Sequence, residues 1–343
     1  MTTVPYWHVD AFADRPFAGN QAAVMILDAW PEDAVLAAIG AENMFAETAF
    51  VVRDHAGPAD WELRWFTPAC EVRLCGHATL ASGHVLLARD GGEWVVFCTR
   101  QAGLLEVRRE TAGYALALPA IGVEPGEWPE AVSALGGPAP QRVWRSPDRY
   151  NVFLYASAAE VAALAPDFVT LAALGDHQFI CTAPGAGHPS GADVVSRVFV
   201  PGAGIDEDSV TGSAHAVLTP LWADLLGRSE FTAHQASARG GDLTCRLEGE
   251  TAWLGGSCVT VVEGSFTFSP PAYSATICAI RSRTGSSLSS SVRPSLTTVS
   301  CWRGAISTYW PRWPCAANTL DGVPGNSGLP VSACGRLSQV CAP

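Results

Sequence analysis

Glu47 stands in the stretch AENMFAETAFV, with Met44, Phe45 and Ala46 before it and Ala49 to Val52 after it. Apolar neighbours desolvate a carboxylate and raise its pKa toward the range useful for proton transfer near neutral pH. Such a group serves as a base and, once protonated, as the acid. Removing a proton from carbon leaves an enolate- or dienolate-like charge, which a protein without a cofactor must stabilise with oriented donors. Unpaired N–H groups at a helix start supply them. Gly76-His77-Ala78 and Gly212-Ser213-Ala214 offer two such starts, where glycine lets backbones approach and the helix dipole favours a carboxylate. Close helix packing alone also calls for such glycines; the pattern occurring once in each half favours a site.

Three further polar side chains lie in these segments. His77 can steer or relay a proton, and Asp208 can hold its partner or bind a substrate amine or hydroxyl. A structural histidine and an N-capping aspartate are the competing readings, and Ser213 in a first helical turn needs no function to be there. Cys75 has no cysteine counterpart near Gly212, which disfavours a pair of thiols acting as opposing acid and base. Cys70, Cys75 and His77 follow a C-x4-C-x-H spacing that matches no tetrahedral zinc pattern, so no metal is expected. The glycines of GAGHPSG and GAGIDE lack the strand and helix context of a dinucleotide site.

The elements that must position these groups are mixed. WELRWF (61–66), WVVFCT (94–99) and LLEVRR (104–109) alternate as strands do, while PEDAVLAAIGAE (31–42) opens with proline and acids as a helix would. After the Pro- and Gly-rich stretch from 122 to 140, strand signals recur at 151–155, 177–183, 193–200, 243–249 and 251–264. The segments beginning at Gly76 and Gly212 are small and apolar nearly all round, the pattern of helices buried within a domain. Each follows an acidic loop, Glu71 in one case and Asp206, Glu207 and Asp208 in the other. This weak internal repeat predicts two barrels, each wrapped around a central helix, with both helix starts facing one cleft. The expected divisions are residues 1–120, residues 121–270, and an atypical tail at 271–343 with no lasting periodicity, read as disordered and appended.

Composition excludes several classes. The 343 residues carry a net charge of −12, and the tail, with six arginines and one aspartate, leaves −17 on residues 1–270. An acidic body argues against nucleic acid. All 21 cations are arginines, which excludes a Schiff-base or P-loop lysine. There is no run long enough to cross a membrane and no basic-then-apolar leader, and the 11 cysteines form no short secreted framework. A cytoplasmic location with reduced thiols is expected.

DAFADRPFAGNQAAV (10–24), AENMFAETAFV (41–51), RWFTPACEVRLCGHATLASGHVL (64–86), GIDEDSVTGSAHAVLTPLWADLLG (204–227) and QASARGGDL follow one another in an order and spacing that resembles the PhzF-like (phenazine biosynthesis) isomerase family over about residues 5–265. The resemblance implies an α+β, diaminopimelate epimerase-like fold with the active site in the cleft between its halves. It places Glu47 at the family's catalytic glutamate and His77, Asp208 and Ser213 at its other functional positions. Asn20 falls in the segment that approaches the substrate, with Gly76, Ala78 and Gly212 lining it, and Gln21 replaces a usual proline. A homodimer acting without a cofactor on a small carboxylated substrate is the implied enzyme. Alternatives are a two-base epimerase using Glu47 and Asp208, and a binding protein that keeps the fold without turnover.

Overall fold

The computed structural model describes residues 1–269. Its strands form one continuous sheet of 18 members, curled around two helices, Gly76–Asp90 and Gly212–Leu226. Gly76 to Gly83 are all buried, as are six consecutive residues from Ala214 to Thr219. A helix without a polar face is stable only when enclosed, and the sheet supplies the enclosure.

Around the first central helix run Thr2–Ala11, Asn20–Leu27, Glu47–Arg53, Trp61–Phe66, Trp94–Thr99, Leu104–Glu110 and Gly113–Pro119. Asn20–Leu27 and Glu47–Arg53 are parallel, with Ala22 opposite Glu47, so both strands begin at the same end of the sheet. The helix expected over 31–42 is observed at Asp33–Asn43, with Glu32 as its N-cap. Around the second central helix run Tyr150–Leu154, Gln178–Pro184, Val194–Val200, Glu230–Gln235, Gly241–Glu248 and Thr251–Gly256.

The segment 251–264, expected as one strand, is two. Thr251–Gly256 pairs with Gly113–Pro119, and Cys258–Phe268 pairs with Thr2–Ala11. The break falls at Ser257, whose carbonyl accepts the Ala13 amide. Leaving one ladder for another requires the chain to turn there, and the turn carries the C-terminal strand back to the N-terminal one. This closure makes the sheet continuous across both halves, and the diaminopimelate epimerase-like α+β fold expected from the sequence is the one observed.

The largest hydrophobic cluster surrounds both central helices, joining Val9, Val51, Leu63, Leu80 and Phe97 to Val217, Trp222 and Leu254. Smaller clusters lie beneath Pro129–Leu135 and Phe168–Ala173, centred on Phe153, Phe179 and Phe199, and beneath Asp33–Asn43, centred on Leu36, Phe50 and Phe66. Truncating any of these phenylalanines to alanine costs about 3–5 kcal/mol. Buried Cys181 and Cys245 are free thiols. Among the described residues no helix is long and apolar enough to cross a membrane. The expectation for 271–343 lies outside the described residues.

Candidate active site

The two central helices meet end to end. A Cβ built on Gly76 would stand 3.0 Å from the Cα of Gly212, and the converse contact is equally short. Any side chain at either position would force the helix starts apart. Their N-caps, Cys75 and Thr211, make no side-chain capping bond, so the first-turn amides of both helices converge on one place. Two positive dipole ends then reinforce each other at a single point.

Each helix start is fixed by a buried or half-buried arginine. Arg64 binds Glu71 through two bonds of 2.7 Å, and Arg197 binds Glu207 through two of 2.8 Å. Both glutamates stand five residues before the first glycine of their helix. The acidic loops noted in the sequence are therefore anchors, and their glutamates are engaged in planar ion pairs.

Glu47, the first residue of its strand, keeps 16% of its side chain exposed, and its Oε2 lies 3.2 Å from Nε2 of His77. Burial pushes the Glu47 carboxyl up to about 8; the nearby Asp208 charge adds to this, and a hydrogen bond with Cys75 opposes it. Burial brings the His77 imidazole down to about 4, against the pull of the Gln21 carbonyl. At neutral pH the pair is a carboxylic acid facing a neutral imidazole, not an ion pair. In that state Glu47 Oε2 is buried without a hydrogen bond. A carboxyl kept protonated by burial, with one oxygen unengaged, is suited to trade its proton with a substrate.

The tautomer of His77 follows from Gln21. Nε2 lies 3.2 Å from the Gln21 carbonyl, an oxygen that can only accept, so the ring proton sits on Nε2. That N–H is also the one within reach of Glu47. Asn20 Nδ2 spends its two hydrogens on Asp208 Oδ1 at 2.8 Å and the Val210 carbonyl at 2.9 Å, and stands 3.2 Å from His77 Nδ1. Asp208 in turn accepts from Thr211 at 2.6 Å, and burial raises its carboxyl against the bonds from Thr211 and Asn20. Asp208 does not cap the helix; Thr211 holds the cap position.

Glu47, His77, Asn20 and Asp208 thus form one connected group, with Gly76 and Gly212 in contact beside it. Ser213 is held apart from that chain: its Oγ accepts from Gln178 Nε2 at 2.9 Å and bonds Tyr150. Ala78 lies fully buried in the first turn of its helix, its amide acting on the Cys75 thiol.

Sequence reasoning gave no role to several residues that build the site. Gln235 accepts the Thr211 amide and donates to the Asp208 carbonyl, and Arg239 binds Asp10 and the carbonyls of Ala18 and Gly19. Both lie in QASARGGDL, so the signal was the motif itself. Gln178 and Tyr150 carried no local signal, because strand pairing alone brings them together.

The three ligand-bearing groups that converge are Glu47, Cys75 and His77, within 4.8 Å of one another, and Cys70 of the trio considered in the sequence is not among them. The set does not suit a metal. The nitrogen of His77 nearest Glu47 carries the proton, and burial together with Glu47 pushes the Cys75 thiol well above its usual value.

A continuous sheet wrapped around two abutting helices, with a buried acid at their meeting point, defines a diaminopimelate epimerase-like fold. A hydroxyproline epimerase of Agrobacterium vitis shares it at a TM-score of 0.50 and 13% identity, over 78% of this chain and 94% of that one. The sequence profile described as phenazine biosynthesis-like protein matches residues 9–264, and the chain belongs to that family. It is 47% identical over 267 residues to an uncharacterized isomerase of Pseudomonas aeruginosa, covering 77% of this chain and 98% of the relative. A PhzF-family crystal structure from Enterococcus faecalis matches with a TM-score of 0.71 at 37% identity, over 78% of this chain and 100% of that one. Family and relatives make the chain an enzyme of the isomerase class.

Proposed function

We propose that the protein isomerises a small carboxylated carbon acid by single-residue acid–base catalysis without a cofactor. The observation that carries this is the Glu47 carboxyl, pushed up to about 8 with Oε2 buried and unbonded, beside the meeting point of two helix starts. The substrate carboxylate rests on the first-turn amides at Gly76–Ala78 and Gly212–Ser213. Glu47 in its carboxylate form takes the proton from carbon, the His77 Nε2–H holds the carboxylate in place, and charge delocalised toward the substrate carboxylate meets the two dipole ends. Glu47 then returns the proton at another carbon on the same face.

A one-base mechanism is favoured over opposing bases for two reasons. Cys75 and Thr211 occupy equivalent N-cap positions, and a threonine hydroxyl is no base to match a thiol. Asp208 has both carboxylate oxygens engaged, Oδ1 by Asn20 and Oδ2 by Thr211.

The test is solvent-hydrogen exchange in deuterated water across a panel of small carbon acids. Relocation of the label supports the shift, whereas wash-in at one carbon with loss of chirality supports epimerisation instead. Glu47→Gln should lower the exchange rate by about 10²–10⁴. Undiminished exchange in that variant would remove Glu47 from the mechanism.

A further inference from the structure

The proton-transfer group explains how one carboxylate is bound and says nothing of the rest of the substrate. A second polar cluster lies at the same cleft, assembled from both halves. Ser213 in the first turn of the second central helix accepts a bond from Gln178, and its hydroxyl donates to Tyr150. Gln178 Oε1 is buried and has no partner. Arg73, on the loop three residues before Gly76, acts electrostatically on Tyr150 from across the cleft.

Arg73 is unusual in this protein. The body is strongly acidic, and its arginines are otherwise spent on carboxylates, carbonyls or an asparagine oxygen. Arg64, Arg197 and Arg239 bind buried or half-buried acids, and Arg109 binds the Leu87 carbonyl. Among the described arginines, only Arg73 and Arg142 make neither a hydrogen bond nor an ion pair in their side chains. Both are exposed, and Arg142 lies on the strand Arg142–Arg145, whose neighbours are Tyr150–Leu154 and the short Glu124–Pro125. Arg73 alone stands beside the candidate site. An unengaged guanidinium with a donor hydroxyl beside it is a fork for a planar anion.

We infer that Arg73, backed by Tyr150, Ser213 and Gln178, recognises a second anionic group, so that the substrate is a small dianion such as a dicarboxylate. This rests on the proton-transfer reading above, since it assigns one carboxylate to the paired helix starts and the second to Arg73. Tyr150, which accepts from Ser213, keeps its own hydroxyl proton to donate to the second group. Gln178 fixes Ser213 by donating to it, leaving its own Oε1 to accept from a substrate hydroxyl or amine.

The experiment uses planar ring acids, because carbon deprotonation makes the reacting centre planar. The full-length protein is titrated calorimetrically with benzoate and with the three benzenedicarboxylates. At least one dicarboxylate should bind roughly tenfold more tightly than benzoate. Arg73→Gln should erase that advantage and leave benzoate affinity unchanged, and Arg142→Gln should alter neither. Absence of a dicarboxylate preference, or of any binding, overturns the inference. So does a preference that survives Arg73→Gln, or one lost equally with Arg142→Gln, which would mark general charge attraction. Loss of benzoate binding with Arg73→Gln also overturns it, since Arg73 would then hold the single carboxylate. Failure of Glu47→Gln to slow deuterium exchange would instead remove the proton-transfer reading, and these isotherms would not report it.

Discussion

Gly76 and Gly212 are each other's closest neighbours across the cleft, with space for no side chain between them: a Cβ on either meets the other's Cα at 3.0 Å. Backbone, not a flexible side chain, receives the clash, so relief requires moving a helix. Gly212→Ala should cost about 1–3 kcal/mol in stability, as overpacking does. It should also cut proton-exchange activity by more than the stability loss explains, because the amides of both helices shift relative to Glu47. Urea denaturation gives the first quantity and deuterium exchange at saturating substrate the second. Full activity in a folded Gly212→Ala protein would mean that the two helix starts do not share one ligand.

The acid pushed up and the imidazole pushed down predict opposite pH effects. The carboxylate of Glu47 is the reactive base, so kcat/KM should rise about tenfold per pH unit and level off near 8. Stability should run the other way. Between about 4.5 and 8 the folded state keeps a proton on Glu47 that the unfolded chain has lost, so stability falls as pH rises through that window. His77 contributes the reverse slope between about 4 and 6.5, because its unfolded form binds a proton that the folded form refuses. The slopes oppose each other in the overlap, leaving a net loss from pH 6.5 to 8 of about 1 kcal/mol. Urea melts at those two pH values should show it, and Glu47→Gln should flatten it.

Arg64 and Arg197 perform the same task in the two halves but are unequally buried, at 2% and 16% exposure. Removing the deeper one leaves Glu71 and Asp33, which Arg64 holds at 2.7 and 2.8 Å, with only the exposed Arg100 at 3.3 and 3.5 Å. Arg64→Met should therefore destabilise by about 3–5 kcal/mol, and Arg197→Met by less. Comparable losses in the two variants would contradict the burial argument. Since each arginine sets the loop leading into a central helix, both variants should also lose activity when assayed below their melting temperatures.

Local pattern made much of this fold readable. The strands expected at 61–66 and 94–99 are observed at Trp61–Phe66 and Trp94–Thr99, each ending in a run of residues buried on both faces. The segment 251–264 looked like one strand because nothing local marks Ser257 as the point where the chain changes partner; that is decided by pairing with residues more than a hundred positions away. The site divides similarly. Glu47, His77, Asn20 and Asp208 lie in motifs and stand within bonding distance of one another, whereas the acids at 71 and 207 read as general loop charge until their arginines came within bonding distance. The unpaired state of Arg73 was equally invisible, since it depends on which acids the other arginines have taken.

Asn20 ties Asp208 and the Val210 carbonyl together and stands 3.2 Å from His77 Nδ1. Asn20→Ala strands Asp208 Oδ1 and the Val210 carbonyl and opens space beside the ring, while the Gln21 carbonyl keeps the ring proton on Nε2, a tautomer visible in its ¹⁵N chemical shifts. The ring and Asp208 then lose the packing that sets them against Glu47. Activity should fall by about one to two orders of magnitude, matching the roughly 1–3 kcal/mol of a buried polar group left unsatisfied. Asn20→Asp makes the complementary test. A carboxylate there would stand beside Asp208, lift the Glu47 carboxyl further, and move the plateau of kcat/KM above pH 8. A plateau that moves lower, or full activity in Asn20→Ala, would show that Asn20 does not position His77 and Asp208.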